Sequence, residues 1–401
     1  MVSCLVALAV IGFAPQLAVR KATLDITPPE PLPLGGYTER GGKTFERGGD
    51  YLFARAVALS DGKQRIVFLS AEMLTIPESL QKAVQAKLPN DVRLFLAATH
   101  THCAPDSQML NERMTLGIPG IASYKRRWLE WYSQRLANCA LTALRSKPIV
   151  TADPLTIAQT ELKATHGRRP GDQPDWTLTR VSLGFSPLIY QYAAHPIFYS
   201  SKELKLRDDW PGAFMDDGAI VLQGAIGDVS PNLTGEEPKA QIAKLHQSAI
   251  DGLSEQKEQP LGFGLGWVEE PIKLDAKKPH PDFAKEYKIP QALAQLAVNQ
   301  FAPSSASVFI VRIGDLAIVG VPGEPTAALG RAIQAKGYAA GFKHVLVCSH
   351  VNGWIGYILE PQDYDSGGYE ATLSLHGRET GTRLVEACER GLNKAARPSA
   401  P

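Results

Sequence analysis

The sequence has no excess of either charge, no closely spaced cysteine pair, no apolar run of membrane-spanning length, no internal repeat and no low-complexity tract. Its 42 Lys and Arg stand against 41 Asp and Glu, a formal net charge of +1. That balance removes whole-molecule attraction for nucleic acid, and no nucleic-acid partner is expected. None of the five cysteines, Cys4, Cys103, Cys139, Cys348 and Cys388, stands in a CxxC pair, which argues against a cysteine-bound zinc or a redox motif. If Cys4 is removed with a leader, the remaining four permit disulfides in an oxidising compartment without demanding them. No glycine-rich nucleotide loop is visible. What is present is ordinary for a globular protein, with 44% hydrophobic and 21% charged residues over 401 positions, enough to bury a large core.

The longest apolar run, Met1 to Ala14, is shorter than the roughly 20 residues that cross a bilayer. It reads as the core of a signal peptide, with small residues at Ala14 and Ala18 suited to cleavage near Val19, although a basic segment before it is missing. A buried N-terminal element is the alternative. Residues 1–20 are therefore expected to be a signal peptide and the protein to be secreted or periplasmic.

Beyond that point, short β-rich runs alternate with helical patterns. Tyr51 to Leu59 and Arg65 to Ser70 flank Asp61-Gly62, a hairpin signal. Further apolar runs lie at Val92 to Ala98, Leu188 to Ala194, Ala219 to Ala225, Val308 to Ile313, Leu316 to Val321 and His344 to Cys348. Between Tyr124 and Leu144, apolar residues recur with helical period, including Trp128, Trp131, Tyr132 and Leu136, and this aromatic stripe is read as core. The Pro- and Lys-rich stretch from Leu274 to Pro290 is expected to be a surface excursion. The mixture predicts a mixed α/β fold with a β-sheet core flanked by helices. It is read as one catalytic domain over residues 21–395, with a loose tail at 396–401.

Several apolar runs end at residues with chemical capability, as expected where loops leaving strand ends carry function. After Val92 to Ala98 comes Thr-His-Thr-His-Cys-Ala-Pro, with His100 and His102 two apart. An extended chain points both imidazoles the same way, a spacing suited to a metal ion; a chance surface pair is the bland alternative. Tyr190-Gln-Tyr-Ala-Ala leads to His195-Pro196, a third candidate ligand. Val221 to Asn232 sets Asp228 and Ser230 in a Gly/Pro-bounded turn without the G-x-S-x-G pattern of a strained serine nucleophile, so the residues alone favour a turn cap. Pro322-Gly-Glu324 precedes an expected helix start at Pro325, where the acid serves either a metal or the helix dipole. The loop from Asn352 through Tyr357 to Tyr364, Tyr369 and Glu370 suggests a pocket wall.

Taken in order, Asp25-Ile-Thr-Pro-Pro, Ala98-Thr-His-Thr-His-Cys-Ala-Pro, Ala194-His-Pro, Gly227-Asp-Val-Ser-Pro-Asn, Pro322-Gly-Glu and the stretch from Tyr357 to Glu370 resemble the catalytic domain of the neutral/alkaline, non-lysosomal ceramidase family. The resemblance runs over about residues 22–378 and implies one zinc ion per chain, held by His100, His195, Glu324 and Tyr357. The tyrosine is placed by spacing, since Tyr357 stands twelve residues before Tyr369, as the family ligand does before the Tyr of its Arg-Tyr-Glu segment. The same resemblance implies that His102 faces the zinc-bound water or the substrate carbonyl, that Tyr369 supports the site, that Arg168, with the register against Arg169 open, helps bind the developing oxyanion, and that Ser230 matches a serine sometimes assigned as nucleophile. Cys103 replaces the family's serine after the second histidine. The family's C-terminal immunoglobulin-like domain is not expected here.

The implied activity is zinc-dependent hydrolysis of an N-acyl amide, either N-acylsphingosine or a smaller acyl amide or ester, by activated water. A small acyl amide or lipid is the expected partner, with peripheral membrane contact permitted and no obligate protein partner evident. Two rivals stay open: a metal-free serine hydrolase using Ser230, Asp228 and a histidine, and a secreted lipid- or glycan-binding protein without turnover.

Overall fold

The computed structural model describes residues 17–397 apart from 170, 172, 216 and 217. The apolar run expected as a signal core therefore lies outside the described residues. The expected boundary near residue 20 falls inside the first strand, β1 (Leu17–Asp25). β1 pairs antiparallel with β2 (Phe53–Ser60), and β2 with β3 (Arg65–Ala71). Their turn forms as the residues dictate. Asp61 accepts from the N–H groups of Lys63 and Gln64 at 2.9 and 2.8 Å, and Gly62 takes a φ of 87°, open to glycine without steric cost. β4 (Val92–Ala98) runs parallel to β3, and β5 (Ile149–Thr151) closes the far edge, giving the order β4-β3-β2-β1-β5.

The next stretch supplies β6 (Thr156–Glu161), β7 (Thr165–Gly167), β8 (Thr177–Leu183), β9 (Ser186–Tyr192), β10 (Ile220–Gln223), β11 (Val229–Pro231) and β12 (Gln259–Pro260). Five of them form a second sheet, β10-β9-β8-β6-β12, while β7 and β11 pair separately. The last stretch supplies β13 (Leu265–Ile272), β14 (Ala306–Ile313), β15 (Leu316–Gly320), β16 (Glu324–Pro325), β17 (His344–Cys348) and β18 (Tyr357–Ile358). A third sheet has the order β13-β14-β15-β17, and β16 pairs with β18.

The three large sheets share one core. Phe68 and Phe95 of the first meet Ile189 and Leu222 of the second and Val311, Ile318 and Leu346 of the third. Helices cover the outer faces: Glu78–Gln85 and Arg126–Arg145 on the first, Pro238–Ser254 on the second, and Ala327–Ala339 and Thr380–Ala396 on the third. This explains why β4 reads as a continuous apolar run, since a strand covered on both faces has no solvent side to mark with polar residues. Leu94 and Leu96 face the helices, Phe95 and Ala97 the shared core. Truncating Phe68 or Phe95, both fully buried, to alanine costs about 3–5 kcal/mol.

The expected mixed α/β fold is observed. The aromatic helix begins at Arg126 and buries Trp128, Tyr132 and Leu136, as its period indicates. The stretch from Leu274 to Pro290 is not merely a surface excursion. It contains the helix Phe283–Glu286, whose Phe283 and Ala284 bury in a core with Trp354 and Leu375. One aromatic residue thus ties down a segment whose Pro and Lys content reads as surface. Cys103, Cys139, Cys348 and Cys388 are buried and unpaired, so no disulfide forms among the described residues. No helix among them is long and apolar enough to cross a membrane.

Each large sheet contains one parallel pair: β3 with β4, β9 with β10, and β15 with β17. Buried amides join these pairs. Gln223 donates to the Thr99 carbonyl at 2.7 Å, Gln191 to that of Val347 at 3.2 Å, and Asn352 to that of Leu94 at 2.7 Å. The chemically capable residues leave from the carboxyl ends of these strands.

Candidate metal centre

After β4 the chain turns sharply at His100, whose φ of 67° is unusual for a residue with a side chain. Its N–H donates to the Met73 carbonyl at 2.9 Å and its ring Nδ1 meets the Leu74 carbonyl at 2.6 Å. His195 follows β9 and meets the Ile226 carbonyl through Nδ1 at 3.2 Å. A carbonyl only accepts, so each Nδ1 carries the proton and each Nε2 presents a lone pair. Those two Nε2 atoms lie 3.1 Å apart, and the Nε2 of His102 lies 3.3 Å from that of His100. All three rings are buried. Burial is the largest influence holding the pKa of His102 and His195 well below the usual value. At His100 burial lowers the pKa and the Glu324 charge partly restores it. Neutral imidazole, the form a metal binds, is favoured throughout.

Glu324 opens β16, in register with Tyr357 of β18. The parallel ladder therefore sets the carboxylate and the phenol side by side. Glu324 Oε1 accepts from the Trp354 indole at 2.9 Å, and Oε2 lies 3.6 Å from His100 Nε2 without a hydrogen-bond partner of its own among the described residues. Burial, then the Glu324 and Tyr369 charges, push the Tyr357 hydroxyl well above its ordinary pKa. Tyr369 begins the short helix Tyr369–Thr372, with its ring centroid 5.6 Å from that of Tyr357. The residue is 48% exposed, and burial of its surroundings is the main cause that raises its hydroxyl to a pKa of about 12.

The two arginines separate clearly. Arg168 donates Nε to Glu370 at 2.8 Å and a second N–H to the Gly227 carbonyl. Burial disfavours its charge, but Tyr357, Glu370 and Glu324 outweigh this and raise its pKa. It also lowers the pKa of all three histidines, which means that its charge is felt in the centre. Arg169 donates to the Asp363 and Gly367 carbonyls at 3.1 and 2.9 Å and to the second oxygen of Glu370 at 3.2 Å, so the two arginines share that carboxylate while only Arg168 reaches the Gly227 carbonyl.

Ser230 lies in β11 opposite His166, whose Nδ1 is engaged with Asn232 at 2.7 Å. Asp228 accepts from the Ala327 N–H at 2.7 Å at the start of the helix Ala327–Ala339. No hydrogen bond joins Ser230 to a histidine among the described residues, so the serine relay left open by the sequence does not form there. That helix starts two residues after the expected Pro325, with Thr326 as its cap.

Around His102 the supporting contacts are tight. Buried Arg40 donates to the His102 carbonyl at 2.5 Å and to Cys103 Sγ at 3.5 Å. The ring packs on Gly36, where φ is 84° and an added Cβ would lie 2.6 Å from His102 Cγ. One further imidazole, that of His350, stacks on His100 with centroids 3.9 Å apart and planes 17° from parallel. The motif reading missed it. The same rule that singles out His195, a histidine just past an apolar strand, also marks His350 two residues after β17.

These residues fit a metal ion. Two lone pairs meeting at 3.1 Å beside an unpartnered buried carboxylate oxygen are mutually repulsive unless a cation or proton lies between them. Donor atoms of His100, His102 and His195 lie within 4.8 Å of one another, as do those of His100, Glu324 and His350.

Fold and site together define a mixed α/β protein with a buried histidine–carboxylate centre at the carboxyl ends of three parallel strand pairs. Residues 277–386 match the family model described as neutral/alkaline non-lysosomal ceramidase, N-terminal. A neutral ceramidase of Mycobacterium tuberculosis is 32% identical over 116 residues, 25% of this chain and 18% of that protein. One from Pseudomonas aeruginosa is 32% identical over 81 residues, 19% of this chain and 12% of that protein. The matched segments thus span less than a fifth of either relative. In fold, the crystal structure of neutral ceramidase from Pseudomonas aeruginosa superposes with a TM-score of 0.77 at 19% identity, covering 96% of this chain and 75% of that one. Over residues 277–386 the chain resembles the neutral/alkaline non-lysosomal ceramidase family, and it shares the fold of the Pseudomonas aeruginosa protein.

Proposed function

We propose that the protein is a zinc-dependent hydrolase that cleaves an N-acyl amide bond, that of N-acylsphingosine or of a smaller acyl amide or ester. The observation that carries the reading is the approach of the His100 and His195 Nε2 atoms to 3.1 Å with both Nδ1 atoms committed to carbonyls. His100, His195, Glu324 and Tyr357 are the residues that would hold the zinc. When bound there, zinc polarises a carbonyl and lowers the pKa of water toward ~7, so that attack proceeds near neutrality.

The remaining chemistry belongs to the chain. Arg168, fixed by Glu370 and the Gly227 carbonyl, supplies a permanent positive charge for the developing oxyanion. Its orientation is set before substrate arrives, so little reorganisation accompanies the reaction. His102 packs its Nδ1 side against Gly36 and presents Nε2 to the centre. Nε2 is therefore the atom that would take the proton released by the attacking water and pass it to the leaving amine. Half-exposed Tyr369 forms the wall between solvent and Tyr357. The buried surroundings exclude water and strengthen each of these charges.

A secreted or periplasmic location and peripheral contact with a lipid surface remain part of this proposal. The test is hydrolysis of a short-chain fluorogenic N-acylsphingosine before chelation, after it, and after zinc return. Loss and recovery of turnover are expected. Activity that survives complete metal removal would contradict the reading and restore the serine alternative, while zinc binding without turnover on any acyl amide or ester would favour the non-catalytic one.

A further inference from the structure

His102 differs from the two histidines beside it in what aims its ring. His100 and His195 each rest Nδ1 on a backbone carbonyl, whereas the Nδ1 of His102 is buried without a hydrogen-bond partner among the described residues. Its direction comes from packing instead. Gly36 leaves no room for a Cβ against the imidazole, and the Tyr37 ring meets it at 66° with centroids 4.9 Å apart. Tyr37 is fixed in turn by its hydroxyl, which donates to the Tyr199 carbonyl at 2.9 Å. The wall that orients His102 is therefore the turn from Gly35 to Tyr37, and the ring keeps its aim only while that turn and the His102 backbone hold their distance.

Arg40 holds the two together. Its side chain is buried, and its N–H groups reach five carbonyls and one sulfur. One terminal nitrogen, Nη1, donates both to the Gly35 carbonyl at 2.8 Å and to the His102 carbonyl at 2.5 Å, which joins the wall to the residue it orients. Nη2 donates to the Glu203 carbonyl at 2.9 Å, to that of Ser200 at 3.4 Å and to Cys103 Sγ at 3.5 Å, and Nε donates to the Ser201 carbonyl at 3.2 Å. These bonds anchor the clamp on the loop that follows His195. None of the acceptors is charged, since carbonyls are neutral and burial, as the main cause, pushes the Cys103 thiol up to about 12. Burying a cation on neutral acceptors alone is costly, and an apolar side chain would fill the space without that cost. What only guanidinium supplies is a rigid planar fork that serves several acceptors in fixed directions.

We propose that Arg40 is a positioning residue for the hydrolytic reaction: by clamping the Gly35 carbonyl to that of His102 it sets the imidazole against Gly36 and Tyr37 and aims Nε2 into the centre. The proposal rests on the hydrolase reading above, in which His102 Nε2 carries the proton, and adds a residue that acts through His102. Lysine keeps the charge but not the fork, so Arg40→Lys separates the clamp from the charge.

The experiment is a double-mutant cycle on the zinc-loaded protein, with Arg40→Lys, Arg40→Gln, His102→Ala and each Arg40 substitution combined with His102→Ala. Single-turnover and steady-state rates are read on a short-chain fluorogenic N-acylsphingosine, a short acyl amide and a short acyl ester. Zinc content and melting temperature check that site and fold persist. Arg40→Lys and Arg40→Gln are expected to lower kcat roughly 10- to 100-fold, the scale on which loss of a supporting group or a small misplacement costs rate, with KM and zinc content unchanged. In the His102→Ala background the same substitutions should cost little more, because residues that act as one unit are not additive. An undiminished loss in that background, or no loss in the wild-type background, would overturn the proposal. So would Arg40 variants that no longer fold, which would make the residue a structural staple. A wild-type protein without turnover on any of the three substrates, or a His102→Ala variant as active as wild type, would instead contradict the hydrolase reading and take this proposal with it, so the two failures are distinguishable.

Discussion

The two sides of the metal centre are built on different principles. His100 and His195, from the first and second sheets, are anchored through their own rings, each Nδ1 resting on a backbone carbonyl. Glu324, Tyr357 and His350, all from the C-terminal stretch, are positioned mainly by backbone pairing. Glu324 has one oxygen held by Trp354 and the other unpartnered, and His350 has no ring partner among the described residues. Ring-anchored ligands hold their tautomer and direction whether or not a metal is bound. Donor atoms with no partner of their own, such as Glu324 Oε2, would depend on an ion to complete their bonding. On the proposed metal reading, the first side would be preformed and the second would be completed by the ion.

The largest effect should come from breaking the anchored side. His100→Ala or His195→Ala is expected to abolish zinc retention and turnover together, read from metal content and hydrolysis rate; full activity in either variant contradicts the account. Next comes the charge that serves both sides. Arg168→Ala should lower kcat by on the order of 10²–10³-fold with zinc content unchanged, whereas Arg169→Ala, which touches the centre only through the shared Glu370 carboxylate, should act less. Equal losses would erase the distinction between the two arginines. On the pairing-dependent side, Tyr357→Phe should weaken zinc binding by about tenfold, less than loss of His100, as measured by chelator competition.

The smallest effect concerns stability. Asp209, behind the His195 loop, accepts from the Trp210 and Phe198 N–H groups at 2.7 and 3.2 Å. Burial is the main cause that raises its pKa to about 7. A carboxyl whose folded pKa exceeds its unfolded value contributes stability that is full below the unfolded value, near 4, and is lost as pH rises through about 7. Asp209→Asn, tolerated at a φ of 56°, should therefore flatten the fall in melting temperature of the metal-free protein between those limits. An identical slope in variant and wild type would show that the group does not titrate there.

The same contrast explains what was legible in the sequence. β4 and β17 coincide with the runs from Val92 to Ala98 and from His344 to Cys348, because a strand buried on both faces is a continuous apolar word. His100, His102 and His195 follow such runs directly, so their role is local and readable. Glu324 and Tyr357 meet only through a two-residue parallel ladder between distant segments, which no local pattern announces; the resemblance rather than periodicity paired them. His350 also follows an apolar run and is marked by the same local rule, while its stacking on His100 and its backbone bonds to Ala98 and Gly323 are tertiary and have no local signal. Phe283 shows the converse error, where one buried aromatic outweighs a run of surface-type residues.

The most direct test of the two-sided centre is zinc content by elemental mass spectrometry on purified wild-type protein, His195→Ala and Glu324→Ala. The account predicts about one zinc per chain in the wild type, as one four-donor site requires, and strong depletion in both variants, one from each side. Zinc retained at the wild-type level in either variant, or none in the wild type, would contradict it.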